Sequence, residues 1–263
     1  MRDVTGERGP AVHDVLVVTG GHPFEPEPFF ALFDALDGIE WTGATTPTTG
    51  HDVVVFYDMP GFTFTGDADD PVHLTEPSPA QQETIEELIA AGTGLVFLHH
   101  AIAGWPTWHA YGDLIGGRFL YQPGRFQDRD LPDSGYLLDV EHTVEVVAPD
   151  HPVCAGVDPT FTLTDELYCY PVDDSVAPLL RTTHPATADH FFSPDLAIRG
   201  RMHDRTGWTH PTGSDLVGWA KTAGASRVVY LQPGDGPAAY ADPNSRRLVT
   251  NAIAWTATSH HPS

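Results

Sequence analysis

The chain has 263 residues, 41% of them hydrophobic, enough for a sizeable core and suited to one α/β domain with insertions or to two small domains, the first favoured. Its 36 acidic residues outweigh 13 basic ones, the formal charge is -23, and Lys221 is the only lysine. Such a surface repels nucleic acid and anionic membranes, so neither is expected as a partner, and the acidic excess reads as a solvated face.

The opening MRDVTGERGPAVHD lacks the apolar stretch of a secretory leader, and no segment approaches the ~18 apolar residues of a membrane span. A cytoplasmic location is the expectation. Residues 14–19, DVLVVT, form a buried strand that ends in Gly20-Gly21-His22. Residues 28–36 follow with a short helical pattern, and DVVVFY (52–57) is a second apolar strand. SPAQQETIEELIAAG begins with a capping box at Ser78 and Gln81, has Pro79 at the first helical position, and stops at Gly92. GLVFL (94–98) is the next strand. Continuous apolar strands alternating with helices predict a parallel sheet covered on both faces.

Further along, TVEVVAP (143–149), APLLRT (177–182) and RVVYLQP (227–233) read as strands, with DELYCY (165–170) between the first two. Residues 121–136 and 184–214 are rich in Pro, Gly, Asp and His and read as long loops, the second as an insertion. Long loops often serve as lids or binding elements. The last helix starts at Asp242-Pro243 with a stripe of Leu248, Ala252 and Trp255. Cys154 and Cys169 form no CxxC and read as two small buried side chains. Trp219 and Trp255 read as core.

In open parallel sheets the binding crevice lies at the carboxyl ends of the strands. Gly20-Gly21-His22, Tyr57-Asp58, His99-His100, Gln232 and Asp235 all fall there. His99 and His100 are candidates for acid–base work or metal ligation. Against this stands a plain role, one imidazole ordering the turn through a backbone carbonyl. Asp165, Glu166 and Tyr168 form a second cluster, against a background of ordinary exposed acids. A zinc site from His22, His99 or His100 plus a carboxylate is conceivable, but no HxH or HExxH spacing specifies one. Trp105 and Trp108 follow the double histidine and suit a sugar face, or simple helix packing for Trp108. No nucleotide-binding loop is present.

GTGLVFLHHAIAGWPTWHAYGDLIGGRF (92–119), HPVCAGV (151–157), FTLTDELYCYPV (161–172) and RVVYLQPGDGPAAYADPNSRRLVTNAIAWTA (227–257) together resemble the trehalose-utilisation (ThuA-like) family. The resemblance spans about residues 14–257 of a single domain over 1–263. It implies an α/β, flavodoxin-like three-layer sandwich with a mostly parallel central sheet, of the class I glutamine amidotransferase-like kind. Where amidotransferases of that fold carry a nucleophilic Cys, this chain reads LHHA, so glutaminase chemistry is not expected. The family's link to trehalose and keto-sugars implies a small carbohydrate ligand. The family usually has His after the late strand, and here that position is Asp235.

The leading expectation is an enzyme acting on a small sugar or keto-sugar by isomerisation, elimination or hydrolysis. His99 or His100 would be the base and Glu166 the acid or orienting group. His22, Tyr57, Trp105, Asp165, Tyr168 and Asp235 would bind substrate. Two rivals stand beside it: a metal-dependent hydrolase with zinc-bound water, and a non-catalytic sugar-binding module. No cofactor is specified beyond a divalent metal, zinc first. The oligomeric state is open, a homo-oligomer included.

Overall fold

The computed structural model describes residues 12–258, so the leader question posed by the first residues lies almost wholly outside it. β1 (His13–Gly20) sends Val15 and Val17 to one core and Leu16 and Val18 to another. This two-sided burial is what a run of apolar residues with period-2 side chains produces in a covered sheet. α1 (Pro26–Asp34) then packs Phe29, Leu32 and Phe33 on the first side. β2 (Ile39–Ala44) returns to pair parallel with β1. β3 (Val53–Asp58) divides in the same way, Val53, Val55 and Tyr57 against Val54 and Phe56.

A hairpin, β4 (Phe62–Phe64) and β5 (Val72–Leu74), leads to α2 (Pro79–Ala91). The capping box forms as expected: the Gln81 amide donates to Ser78 Oγ at 3.4 Å, the Ser78 amide to Gln81 Oε1 at 2.9 Å, and Gly92 caps with φ +75. Next come β6 (Gly94–Leu98), α3 (His109–Ile115), and a hairpin of β7 (Gly124–Phe126) and β8 (Arg129–Leu131). The long strands β9 (Gly135–Val146) and β10 (Thr160–Cys169) follow, then β11 (Ala177–Thr182). The chain closes with α4 (Pro194–Ile198), β12 (Leu216–Ala223), β13 (Ser226–Leu231), α5 (Pro237–Ala241) and α6 (Pro243–Ala257). Asp242 caps α6 by accepting from the Ser245 amide at 2.8 Å.

One sheet of nine strands runs in the order β10-β9-β11-β12-β13-β6-β3-β1-β2. Its five strands from β13 to β2 are parallel, and the four from β12 to β10 form an antiparallel wing. α1 and α6 cover one face, α2 and α3 the other. The layers match the expected sandwich, but the sheet is parallel only at its core. The pattern reading passed over β2, β12 and α3. β2 lies at the sheet edge with mixed burial, so it lacks the apolar run of a central strand. β12 is interrupted by Gly218, whose missing Cβ lets Leu180 pack where 2.8 Å would separate them. The expected strand at 143–149 is the tail of β9, and DELYCY is the end of β10. Segment 184–214 holds α4 and a short 3-10 turn at Ala188–His190. Cys154 and Cys169 are buried and unbridged, and Trp219 is fully buried while Trp255 is half-buried. Among the described residues no helix is long and apolar enough to cross a membrane.

Asp58 closes β3 with its carboxyl buried, and Oδ1 has no hydrogen-bond partner among the described residues. Burial pushes this group up to about 7. An unfolded carboxyl titrates near ~3.9, so between about pH 4 and 7 the fold binds more protons than the unfolded chain. Stability contributed by protonated Asp58 is therefore lost as pH rises through that window. Asp58→Asn is expected to gain on the order of 2–4 kcal/mol over the native chain at pH 8 and little at pH 4. Urea denaturation at the two pH values measures this, and equal effects at both would refute it.

Candidate active site

β6 ends at Leu98, and the chain turns sharply into a 3-10 segment, His99–Ala103. The turn is made by His99 itself, which adopts φ +48. A left-handed backbone costs a non-glycine residue roughly 1–2 kcal/mol, so something must hold it. Tyr230 donates from its hydroxyl to the His99 carbonyl at 3.0 Å. The ring's Nδ1 sits 2.7 Å from the Gln232 carbonyl, which can only accept, so Nδ1 carries hydrogen. Both anchors come from β13 or the residue just after it.

The other ring nitrogen meets the antiparallel wing. His99 Nε2 lies 2.8 Å from Tyr168 Oη, 3.0 Å from Glu166 Oε2 and 3.4 Å from Asp235 Oδ1. The His99 side chain is 0% exposed, Glu166 is 12% and Asp235 34%. Burial alone would lower the imidazole's pKa. The hydrogen bonds and charges of Asp235 and Glu166 outweigh it and raise His99 well above the ordinary histidine value. In turn His99 holds Asp235 below the usual carboxylate range, against the opposing effect of burial. These three ligand-capable atoms all lie within 4.8 Å of one another.

Asp165 fixes the loop that delivers Asp235. Its two carboxylate oxygens accept from the Gly234 amide at 2.8 Å and the Asp235 amide at 3.0 Å. Burial raises this carboxyl to about 6 despite those amides and the charge of His99. Gly234 takes φ +147 and brings its Cα close over His99, where a Cβ would stand 3.6 Å from that of His99. Opposite β10, β9 carries one extra residue between its pairings to Asp165 and Leu167, and Asp139 there has φ +50. Such a bulge bends its strand and commonly lies next to a site.

Beside this cluster is a cavity of about 280 Å³. Glu166 and His22 stand on its wall with Phe119, Tyr121 and Tyr136, and Leu138 from the bulge also lines it. None of its lining residues is Lys or Arg. His22 arrives through Gly21, whose φ is +75 and whose added Cβ would stand 2.3 Å from the Met59 carbonyl oxygen, so glycine is required. His22 Nδ1 is 2.8 Å from the Pro23 carbonyl and therefore donates to it. Burial, and then the charge on His99, lower the His22 pKa. The neutral ring keeps a lone pair on Nε2.

Of the residues singled out from sequence, His99, Glu166, Tyr168, Asp235 and Asp165 come together, and His22 and Glu166 share the cavity wall. His100 does not. It is buried, reaches only the Tyr57 carbonyl at 3.3 Å, and stacks under His22 at 4.4 Å. Burial, then the neighbouring histidine charges, push its pKa well below the ordinary value, and its ring does not line the cavity. Tyr57 is buried too, its hydroxyl donating to the Gly234 carbonyl at 2.8 Å, so it supports the loop instead of lining the cavity. Trp105 stands apart in a separate cleft with Asp58 and Tyr111. Tyr121 and Tyr136 of the wall were not singled out individually. They border the 121–136 segment, and Pro194, Ala197, Ile198 and Met202 come from 184–214, the two stretches whose loop composition was the available signal.

The family model described as ThuA, trehalose utilisation, matches residues 49–256. No curated protein matches by sequence. Among solved structures, a ThuA-like protein from Parabacteroides merdae superposes with TM-score 0.67 at 12% identity, covering 96% of this chain and 92% of that one. A ThuA-like protein from Bacteroides uniformis gives 0.60 at 16% identity, with 97% and 95% covered. PurLQS from Thermotoga maritima gives 0.51 at 11% identity, with 93% and 99% covered. The fold is thus of the glutamine amidotransferase-like kind.

Asp165→Ala removes both acceptors from the Asp235 loop. Hydrogen exchange at the Gly234 and Asp235 amides is expected to accelerate by about 10-fold or more, while core amides of β3 and β6 keep their protection. Unchanged exchange at those two amides would show that the loop is held by other means.

Proposed function

This chain belongs to the ThuA trehalose-utilisation family, and from that footing we propose that it is an enzyme acting on a small sugar or keto-sugar by acid–base chemistry. The observation that carries this reading is the pairing of His22 and Glu166 on the wall of one aromatic-lined cavity. Aromatic faces suit the C–H surfaces of a sugar ring, and the cavity volume suits a monosaccharide-sized group. The family's link to trehalose utilisation supports a carbohydrate as ligand.

His22 is the base in this reading. Its Nδ1–H is fixed on the Pro23 carbonyl, and its neutral Nε2 takes a proton from the carbon next to a keto group or from a sugar hydroxyl. Glu166 orients the substrate hydroxyls or passes the proton on. Burial holds the Tyr121 phenol protonated, so it donates a hydrogen bond to developing negative charge on oxygen. His99 has the role of holding Glu166 and Asp235 in register from beneath, without touching substrate. A cytoplasmic setting belongs to the same proposal.

A panel of disaccharides and their 3-keto forms tests it. Turnover of at least one is expected, with His22→Gln and Glu166→Gln each lowering kcat by about 10²- to 10⁴-fold. The kcat/KM profile should fall on the acid side only below pH 6.5, because burial lowers the His22 pKa beneath that value. Binding across the panel without any turnover would make the protein a sugar-binding module instead. Full activity in both variants would sink the assignment of roles.

A further inference from the structure

The surroundings of His99 Nε2 are over-supplied with oxygen. A ring nitrogen offers at most one N–H, and one N–H points at one acceptor. Yet three oxygens lie within 3.4 Å of it: the Tyr168 hydroxyl, Glu166 Oε2 and Asp235 Oδ1. Two of them belong to carboxylates. With Nδ1 committed to the Gln232 carbonyl at 2.7 Å, a neutral ring could accept from the Tyr168 hydroxyl at 2.8 Å, but its lone pair would still face the two carboxylates. A positive charge at this point, a proton on Nε2 or a metal ion, satisfies both carboxylates.

Three features favour an ion-binding design. First, the donor set is one imidazole and two carboxylates, hard and borderline ligands suited to a divalent transition metal. Second, the spacings fit: a tetrahedral ion with bonds of about 2.05 Å has ligand–ligand edges of about 3.3 Å, against the observed 3.0 and 3.4 Å from Nε2. Third, the outer contacts are those that orient ligands. Nδ1–H on a backbone carbonyl fixes the tautomer that leaves Nε2 free to ligate. The Asp165 carboxylate, holding the Gly234 and Asp235 amides, positions the ligand loop.

We propose that His99 Nε2, Glu166 and Asp235 form a binding site for one divalent transition-metal ion of the zinc class. Three protein ligands would leave a coordination position free, as in catalytic and not closed structural sites, and Glu166 joins the ligand set to the cavity wall. A bound ion would supply there an electrophile for a carbonyl oxygen, which no lysine or arginine of the wall provides. The ion site extends the carbohydrate reading but stands on ligand geometry alone.

The test is binding in the absence of any sugar. Full-length protein prepared without a histidine tag is stripped with chelator, then titrated with Zn²⁺, Co²⁺ and Mg²⁺ by calorimetry, with metal content measured after desalting. One Zn²⁺ per chain is expected, with Mg²⁺ much weaker, and Co²⁺ should give the visible bands of a four- or five-coordinate ion. Asp235→Asn and Glu166→Gln should each weaken Zn²⁺ binding by at least about 100-fold, beyond what losing an outer contact typically does. Thermal unfolding of the stripped variants shows that they are folded. Substoichiometric zinc in the native protein, or affinity unchanged in both variants, would overturn the site. Neither result depends on whether a sugar is turned over.

Discussion

The crevice is organised by the need for one positive charge among buried oxygens. His99 is enclosed by the sheet, yet its Nε2 faces Glu166, Asp235 and Tyr168. Partly buried carboxylates are favoured by pairing, so the imidazole and the acids stabilise one another. This mutual dependence joins two parts of the molecule that share no sequence proximity. The elbow belongs to the parallel core, Glu166 and Tyr168 to the antiparallel wing, and Asp235 to the loop after β13. Gln232 strengthens the joint, since its carbonyl takes Nδ1–H while its side-chain amide donates to the Glu166 carbonyl at 3.0 Å.

Adjacent histidines end in different chemistry because the backbone reverses between them. His99 spends backbone strain to turn the chain, and its ring is set against acids that hold it charged. His100 falls among Tyr57 and His22 with no acid at hydrogen-bond distance, and its ring stays neutral. The neutral stack of His22 on His100 puts the imidazole with an unassigned nitrogen nearer the cavity than either member of the pair. In amidotransferase-like folds this elbow is the place for a nucleophile. Here it holds a buried charge, and the groups open to a ligand are one step removed.

Much of the fold was legible in the sequence because burial on both faces writes itself as unbroken apolar runs. DVLVVT, DVVVFY, GLVFL and RVVYLQP gave four of the five parallel strands, and the caps at Ser78 and Asp242 marked two helices. β2 and β12 were harder, since an edge position and a glycine break that signal. The candidate site was legible as a set of residue types at strand ends. Which of them meet was not. Tyr57 and Trp105 sit at such ends and still point elsewhere, because side-chain direction depends on strand alternation and on turns that no local pattern fixes. Tyr121 and Tyr136 reach the cavity through loops and a bulged strand, where composition marks the segment but not the residue.

The wall of the cavity carries neither lysine nor arginine, and the chain around it bears a formal charge of -23. A phosphate or carboxylate handle would meet Glu166 at close range and a repulsive field from a distance, with no lysine or arginine on the wall to pair with it. The cavity therefore sorts ligands by charge before it sorts them by shape. On the proposed carbohydrate reading, a neutral sugar is the expected ligand and a sugar phosphate is not.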